Sequence, residues 1–188
     1  PGELVVDVKD DMSDAEIEAL ATDMHIALRD NSPGVKDDGK PWVLFVSFVA
    51  PHFPLTAPPE HYYRFWNRDL GLPKLYAREE RPKHPYIVDY SRNFNYDDYF
   101  ESPQDVKKAL AGYFGLVSYL DENIGKVLGA LRDAGLAEDT VVMYTSDHGD
   151  NLGARGLWGK STMYEESAGV PLILAGPGIA ARQVVRTP

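Results

Sequence analysis

The chain has 188 residues, of which 44% are hydrophobic, and its formal net charge is −10. This length suffices for one domain with a real core, or for part of a larger one, and the hydrophobic share favours a globular fold. The negative charge repels phosphate backbones and anionic lipid surfaces, so we expect no nucleic-acid partner and no membrane partner. The sequence has no cysteine, which excludes disulfides, cysteine-type zinc sites and a cysteine nucleophile within these residues.

The start of the sequence bears on its compartment and completeness. No apolar run approaches the ~20 residues that cross a bilayer, and the opening stretch PGELVVDVKDDMSD lacks the basic start and apolar run of a signal peptide. We therefore expect a soluble protein, with the cytoplasm and the periplasm both open. Because the sequence begins with Pro1 rather than Met, we expect a processed product or an internal piece of a longer chain.

The first fifty residues predict a helix, a loop and a buried strand. Ser13 begins a helical stretch with Glu16 as its capping-box partner, and residues 31–41 are typical of a loop because they are rich in Pro, Gly and Asp. The run WVLFVSFVA, residues 42–50, is almost continuously apolar, which is typical of a strand buried on both faces of a parallel sheet. It is followed directly by His52.

Residues 54–104 predict a long irregular excursion with one short helix near 59–67. Its aromatic residues fit three interpretations: a rim for the non-reacting part of a substrate, a satellite core, or a subunit contact in a homo-oligomer. They are Tyr62, Tyr63, Phe65, Trp66, Tyr86, Tyr90, Phe94, Tyr96, Tyr99 and Phe100. The histidines His25, His61 and His84 are predicted to be surface or packing residues.

The second half of the chain predicts an α/β fold. Ser102 and Pro103 open a long helix whose apolar stripe runs from Val106 to Leu131, and Gly135 closes it. A strand follows at 140–145, then a short helix near 162–168 and a third strand over 169–176. Strand, long helix and strand form the βαβ pattern, which predicts a mainly parallel sheet flanked by helices.

The polar loop after the 140–145 strand is the first candidate site. Ligands bind at the carboxyl ends of parallel strands, and Asp147 and His148 follow this strand just as His52 follows the 42–50 strand. A carboxylate with an imidazole predicts part of a divalent metal site, and Gly149 allows the backbone to turn at once. The alternative is that Asp147 caps the next turn and His148 is an ordinary loop histidine.

Two further side chains have a functional and a structural interpretation. His52 is either a hydrogen-bond donor or general acid beside the site, or part of a rigid turn between two prolines. Lys160, flanked by Gly159 and Ser161, either holds an anion together with helix N-terminal amides or is an exposed loop lysine. The segment is not a P-loop, because Ala154 stands where the motif needs glycine.

These stretches together resemble the sulfatase family of the alkaline-phosphatase-like superfamily. The resemblance rests on WVLFVSFVAPHFP and, more specifically, on residues 119–178, with Asp121, Gly125, SDHG, the Gly159–Lys160 pair and Val170–Pro171 in order. The wording DHGDNLGARGLWGK is most similar to the bacterial choline-sulfatase and phosphonate-monoester-hydrolase branches, whereas residues 54–104 match loosely, as a subfamily-variable region would.

The resemblance implies a partial alkaline-phosphatase-like domain and a role for each candidate residue. Asp147 and His148 correspond to metal ligands, Lys160 to the lysine that contacts the nucleophile and the transferred group, and His52 to the histidine that binds sulfate or assists the leaving group. Ca²⁺ is the expected metal. Mn²⁺ is the alternative, because many sulfatases have Asn where His148 stands. The implied reaction is hydrolysis of a small anionic sulfate ester.

One departure from the family is large. The family nucleophile is a formylglycine made from Cys or Ser in a C/S-x-P-x-R motif, and this sequence contains no such motif. Asp10–Asp11 and Asp37–Asp38 do not follow strands and precede no such motif, so they do not supply the other metal ligands. We therefore expect residues 1–188 to be part of one catalytic domain without its N-terminal nucleophile segment and C-terminal subdomain, inactive alone. The alternatives are a phosphonate or phosphate mono- or diester hydrolase of the same superfamily and a non-catalytic binding or structural domain.

Overall fold

The structure is a computed structural model that describes residues 43–186. The chain divides into two compact units, Pro1–Pro54 and Leu55–Pro188. The predicted helix from Ser13, the predicted loop over residues 31–41, His25 and the Asp10–Asp11 and Asp37–Asp38 pairs lie outside the described residues. Within residues 43–186, no helix combines the length and the apolar character needed to cross a membrane.

The described part of the first unit corrects the strand predicted over residues 42–50. Residues 43–50 contain a single bridge residue, Phe45, and otherwise no regular structure. Val43 and Val49 are 88% and 75% exposed, so the run is not buried on both faces. An apolar run becomes a central strand only when strands pair with it on both edges, and the two strands found among the described residues pair with each other.

Four helices are found in the described part of the second unit: α1 Pro59–Trp66, α2 Pro85–Asn93, α3 Pro103–Asp133 and α4 Glu165–Ala168. The helices predicted near 59–67, after Ser102 and near 162–168 are thereby confirmed. Helix α2 was not predicted, so the excursion over residues 54–104 is less irregular than expected. Pro85 stands in the first turn of α2, where its missing N–H is not needed, and Ile87 is its buried residue.

Helix α3 begins and ends where its sequence signals predict. The Ser102 N–H donates to Asp105 Oδ2 at 3.0 Å, which satisfies a backbone donor at the helix start. Gly135 has φ +70° just beyond the last turn, a left-handed conformation that glycine adopts without strain. Helix α1 packs closely on α3. At Gly115 an added Cβ would lie 2.8 Å from the Cβ of Ala57, just before α1, and 3.1 Å from the Tyr62 backbone in α1, so the close approach requires glycine there.

His61 joins α1 to α3 and is 1% exposed. Its Nδ1 lies 3.1 Å from Ser118 Oγ, and its Nε2 lies 3.2 Å from Glu122 Oε2. Both ring nitrogens therefore have polar partners on the facing helix, as buried polar groups require. His61 was predicted to be a surface or a packing residue, and the structure confirms that it is a packing residue.

The sheet formed by the described residues has two strands, β1 Val142–Thr145 and β2 Leu172–Ala175. They pair antiparallel, with Val142 opposite Ala175 and Tyr144 opposite Ile173. The α/β class stands, but the mainly parallel sheet is not confirmed. Parallel neighbours need a crossover that carries the chain across the sheet. The connection over residues 146–171 folds back instead, with a short 3-10 helix at Ala154–Gly156 and the four-residue helix α4 in it.

The core lies between α3 and the loop after β1. Val106, Leu110 and Trp158 form its buried centre. The partly buried residues packed around them include Tyr96 and Phe100 of the excursion; the others are Leu55, Leu70, Tyr76, Ala109, Phe114 and Leu152. The core therefore fixes the polar loop and the excursion against the same helix.

Candidate functional site

Asp147 and His148 form a polar corner directly after β1. The His148 N–H donates to Asp147 Oδ1 at 3.0 Å, and the Ser146 hydroxyl donates to the His148 carbonyl at 2.8 Å. His148 Nε2 lies 3.4 Å from Asp147 Oδ2. The side chain of Asp147 is 85% exposed and that of His148 is 29% exposed, so the carboxylate faces outward from the loop.

The tautomer of His148 follows from its second contact. Its Nδ1 lies 2.7 Å from the Gly149 carbonyl, and a carbonyl only accepts, so Nδ1 carries the proton. In the neutral ring Nε2 then presents its lone pair towards Asp147 Oδ2. An Nδ1–H bonded to a carbonyl is the usual support of a metal-binding histidine.

This donor pair fits a divalent cation as part of a ligand set. Metal-binding carboxylate oxygens and imidazole nitrogens suit Mn²⁺, while Ca²⁺ takes about 6–8 oxygen ligands. Within residues 43–186, no group of three or more His, Cys, Asp and Glu side chains is arranged to hold a metal. A complete site would need ligands in addition to this pair. Burial raises the pKa of Asp147, but His148, the neighbouring backbone amides and Ser146 outweigh it and leave this pKa lowered.

The loop after the corner closes on itself through Asp150 and Asn151. Asp150 Oδ1 accepts the N–H of Leu152 at 2.8 Å and that of Gly159 at 3.0 Å. Asn151 is 1% exposed, and both its backbone N–H, at 2.8 Å, and its side-chain Nδ2, at 2.6 Å, donate to the Gly159 carbonyl. Gly159, and with it the adjacent Lys160, is thus held against the residues that follow His148.

Lys160 is an exposed residue at the end of this closed loop. Gly159, just before it, has φ +71°, a conformation that favours glycine. The Lys160 carbonyl accepts the Thr162 N–H at 2.9 Å and also the Ser167 hydroxyl. Both lone pairs of this carbonyl are used, so the backbone from which the ammonium group extends is fixed on both sides.

The loop is also anchored by an aromatic and an ionic contact. The Trp158 ring stacks on Phe100 with centroids 4.9 Å apart. Arg155 is 8% exposed, stacks over the Tyr164 ring at 3.9 Å and donates from Nη1 to Glu166 Oε2 at 2.9 Å. The hydrogen bond from Arg155 is the main reason that the pKa of Glu166 is lowered. These contacts tie the loop to the excursion and to α4.

The excursion reaches the same region through tyrosines. The Tyr86 hydroxyl donates to the Ser161 carbonyl at 3.1 Å, one residue beyond Lys160. Burial raises the pKa of Tyr96, whose hydroxyl lies 3.4 Å from that of Tyr90. Tyr96 and Phe100 pack on the core, while Phe94 is 55% exposed. The aromatic set is therefore partly satellite core, and its Tyr86 end borders the candidate site.

His52 belongs to the first unit, Pro1–Pro54. Its N–H donates to the Val49 carbonyl at 2.9 Å, and its Nδ1 donates to the Phe53 carbonyl at the same distance. Its ring stacks on Phe53 with centroids 4.6 Å apart. The turn expected at His52 is thus present. Its place beside Asp147 and Lys160 stays a prediction, because it rested on a strand that the described residues 43–50 do not form.

The structure joins three of the four predicted site residues in one hydrogen-bonded loop. Asp147 and His148 touch, and Lys160 is held to the same loop through its neighbour Gly159. Asn151 and Ser167, which make the contacts across the loop, were not predicted, because no sequence pattern marks them. Asp150 carried a usable signal, because aspartate often accepts the N–H two residues ahead in a turn.

Comparison with known proteins gives a consistent result. A family model described as Sulfatase matches residues 8–188. The choline-sulfatase of Rhizobium meliloti (strain 1021) is 36% identical over 141 residues, covering 75% of this chain and 28% of the relative. The arylsulfatase of Clostridium perfringens (strain 13 / Type A) is 32% identical over 145 residues, covering 76% of this chain and 29% of the relative. The chain thus spans less than a third of the length of these relatives.

Solved structures agree with the superfamily to which the sequence was assigned, although not with its mainly parallel sheet. The phosphonate monoester hydrolase SpPMH from Silicibacter pomeroyi has a TM-score of 0.63 at 30% identity, covering 74% of this chain and 29% of that one. The phosphonate monoester hydrolase of Agrobacterium radiobacter has a TM-score of 0.60 at 25% identity, covering 74% of this chain and 30% of that one. Both likenesses support an alkaline-phosphatase-like fold.

Proposed function

Because this chain belongs to the sulfatase family, as its sequence predicts, we propose that the protein it forms hydrolyses a sulfate ester. The observation that carries the proposal is the closed loop over residues 147–160. It combines the proposed metal-binding pair with an exposed lysine, and its hydrogen bonds hold Gly159, next to Lys160, against Asp150 and Asn151, which follow the pair in the loop. A cation and an ammonium group placed together suit a tetrahedral anion such as a sulfate group.

Asp147 and His148 would hold one divalent metal ion, with Ca²⁺ as the expected metal and Mn²⁺ as the alternative. When bound, the metal supplies positive charge at the oxygens of the transferred group. Asp147 contributes a carboxylate that faces outward, and His148 contributes Nε2, oriented by the Nδ1–H bond to the Gly149 carbonyl. The local cations would thus reverse the field of an acidic surface for a small anionic ester.

Lys160 would bind the transferred group through its ammonium donors and stabilise the charge that builds on its oxygens. His52 would donate a proton to the departing oxygen, a role that comes from the family resemblance. The sequence contains no cysteine and no S-x-P-x-R motif, so the nucleophile, expected to be formylglycine, would come from outside these residues. We therefore propose that residues 1–188 are part of one catalytic domain and that residues 54–104 are its variable excursion.

The second candidate function is hydrolysis of phosphonate or phosphate esters on the same scaffold. The likeness to two phosphonate monoester hydrolases, at TM-scores of 0.63 and 0.60, favours it. Sulfate and phosphonate esters share tetrahedral geometry, so the donor groups described above suit both. A phosphonate monoester and a sulfate monoester each carry one negative charge at neutral pH, whereas a phosphate monoester carries more negative charge and gains more from a second cation.

A substrate panel with the complete, metal-loaded protein tests both candidates. We expect 4-nitrophenyl sulfate to be hydrolysed with a higher kcat/KM than 4-nitrophenyl phenylphosphonate. Lys160→Ala should reduce kcat by several orders of magnitude, because an electrostatic donor to the transition state is worth about 10²–10³ or more. The reverse substrate order would favour the phosphonate reading. Turnover of neither ester, with metal bound, would contradict both and leave the non-catalytic alternative.

A further inference from the structure

Ser167 is a buried residue of α4 that contacts both halves of the candidate site. It is 2% exposed. Its carbonyl accepts the N–H of Gly149 at 2.8 Å, directly after His148. Its hydroxyl donates to the Lys160 carbonyl. A single residue is therefore bonded to the backbone beside the metal-binding pair and to the backbone of the lysine.

The backbone at Gly149 packs so closely on α4 and Gly169 that no side chain fits between them. A Cβ added at Gly149 would lie within 3.2 Å of the Gly169 carbonyl oxygen and would clash with the carbonyl oxygen of Glu166. The helix backbone thus rests directly on the turn that follows His148. Because this end of Ser167 is fixed by packing, the position of its hydroxyl is fixed relative to Asp147 and His148.

The Lys160 end depends on that hydroxyl. Gly159 is bonded to Asp150 and Asn151 on one side, and the Thr162 N–H reaches back to the Lys160 carbonyl at 2.9 Å on the other. These are bonds within the loop and its own continuation. The Lys160 carbonyl accepts bonds from Thr162 and Ser167, and of these two residues it is Ser167 that is also bonded to the turn after His148.

We propose that Ser167 is a positioning residue that sets the distance between the Lys160 ammonium group and the Asp147–His148 pair. This inference rests on the proposed function, in which both groups act on one tetrahedral anion. Its physical basis is that misplacing a catalytic group by ~1 Å can reduce the rate about a hundredfold. Removing the hydroxyl should therefore lower kcat while leaving the metal ligands and the substrate's other contacts in place.

The test is a double-mutant cycle in the complete, metal-loaded protein, with 4-nitrophenyl sulfate as the substrate. Ser167→Ala should lower kcat about ten- to hundredfold, with little change in KM and no change in metal content by elemental analysis. In a Lys160→Ala background the same substitution should have no further effect, because Ser167 acts through Lys160. Ser161→Ala is the matched control: it removes an exposed hydroxyl next to Lys160 and should leave kcat unchanged.

Hydrogen exchange provides a second measurement that does not need activity. In Ser167→Ala, the Thr162 amide should exchange roughly fivefold faster, because its acceptor segment has lost one bond, while amides of α1 should be unchanged. If Ser167→Ala does not fold, Ser167→Cys replaces it with a weaker donor of similar shape, and the same changes are expected.

The outcomes separate this inference from the proposed function. A kcat within twofold of the wild type in Ser167→Ala overturns the positioning role, as does an equal loss in both backgrounds or an unchanged Thr162 exchange rate. If the unmodified protein hydrolyses no sulfate or phosphonate ester, the proposed function fails by itself. The exchange rates then still decide whether Ser167 holds the Lys160 segment.

Discussion

Replacing Asn151 by alanine should lower the free energy of unfolding by more than the substitution of a polar loop residue usually does. Asn151 is 1% exposed, and its side chain makes two hydrogen bonds. Nδ2 donates to the Gly159 carbonyl at 2.6 Å, and Oδ1 accepts the Thr162 hydroxyl at 3.0 Å. The substitution removes both bonds and the volume of the amide group, in a loop whose closure depends on them.

The two hydrogen bonds of the Asn151 side chain differ in the free energy that their loss costs. The Gly159 carbonyl keeps the backbone N–H of Asn151 at 2.8 Å, so it stays satisfied. The Thr162 hydroxyl is in a residue only 6% exposed and loses its acceptor. A lost hydrogen bond costs about 0.5–1.5 kcal/mol, and a buried group left without a partner about 1–3 kcal/mol. We therefore expect the free energy of unfolding to fall by about 2–4 kcal/mol and Tm to fall by roughly 5–15 °C.

Equilibrium urea unfolding followed by fluorescence, with thermal melts alongside, measures this change. Asn93→Ala is the matched control. Asn93 is exposed at the end of α2, and its Nδ2 donates to the Asp89 carbonyl at 2.8 Å. We expect this control to change the free energy of unfolding by less than about 0.5 kcal/mol. If Asn151→Ala proves as mild as Asn93→Ala, the closed loop contributes little to stability and the reasoning above is refuted.

Three further predictions concern other parts of the molecule. Asp147→Ala should lower the metal retained by the complete protein, measured by elemental analysis after gel filtration. Asp97→Asn should reduce stability at neutral pH. Hydrogen bonds from Arg81, only partly opposed by burial, lower the pKa of Asp97 in the folded protein. The stability that Asp97 contributes is therefore full above the unfolded pKa of about 3.9 and is lost as the pH falls through the lower folded value. Gly115→Ala should destabilise by about 1–3 kcal/mol, because its Cβ would crowd Ala57.

Each of these three has a result that would contradict it. Equal metal content in Asp147→Ala and the wild type would remove Asp147 from the ligand set. A stability difference between Asp97→Asn and the wild type that persists undiminished below pH 2 would show that the Arg81 ion pair is not its source. A Gly115→Ala variant as stable as the wild type would show that α1 and α3 do not need their close approach, with Gly125→Ala, at an open position of the same helix, as the control.

The helices were largely predictable from the sequence because their signals are local. Ser102, Pro103 and Gly135 mark the ends of α3 by their own conformational preferences, and its apolar stripe repeats at helical spacing. Strand pairing is different. Nothing in the residues of β1 or β2 encodes the direction of its neighbour, which depends on the path of the connection between them. The parallel expectation came from a general pattern and is not confirmed for this pair.

Some residues of the candidate site were also predictable from the sequence, and others were not. Asp147 and His148 were identifiable as candidates by their side-chain chemistry and their place after an apolar strand, and Lys160 by its charge and its place between Gly159 and Ser161. Ser167 and Asn151 were not, because a serine in a short helix and an asparagine in a loop are common. Their role comes from contacts between segments that are far apart along the chain, at Gly149, Gly159 and beyond.

The stacked rings of Phe100 and Trp158 have a consequence for how segments can be exchanged between members of this family. Phe100 lies near the end of the excursion, Trp158 lies two residues before Lys160, and both belong to the core around Val106 and Leu110. A graft that exchanges the excursion between homologues would therefore disturb the lysine whenever the incoming segment lacks an aromatic ring of matching size at position 100. Chimeras whose junction lies before Phe100 should keep the recipient's Phe100–Trp158 stack and, with it, the position of the Lys160 segment.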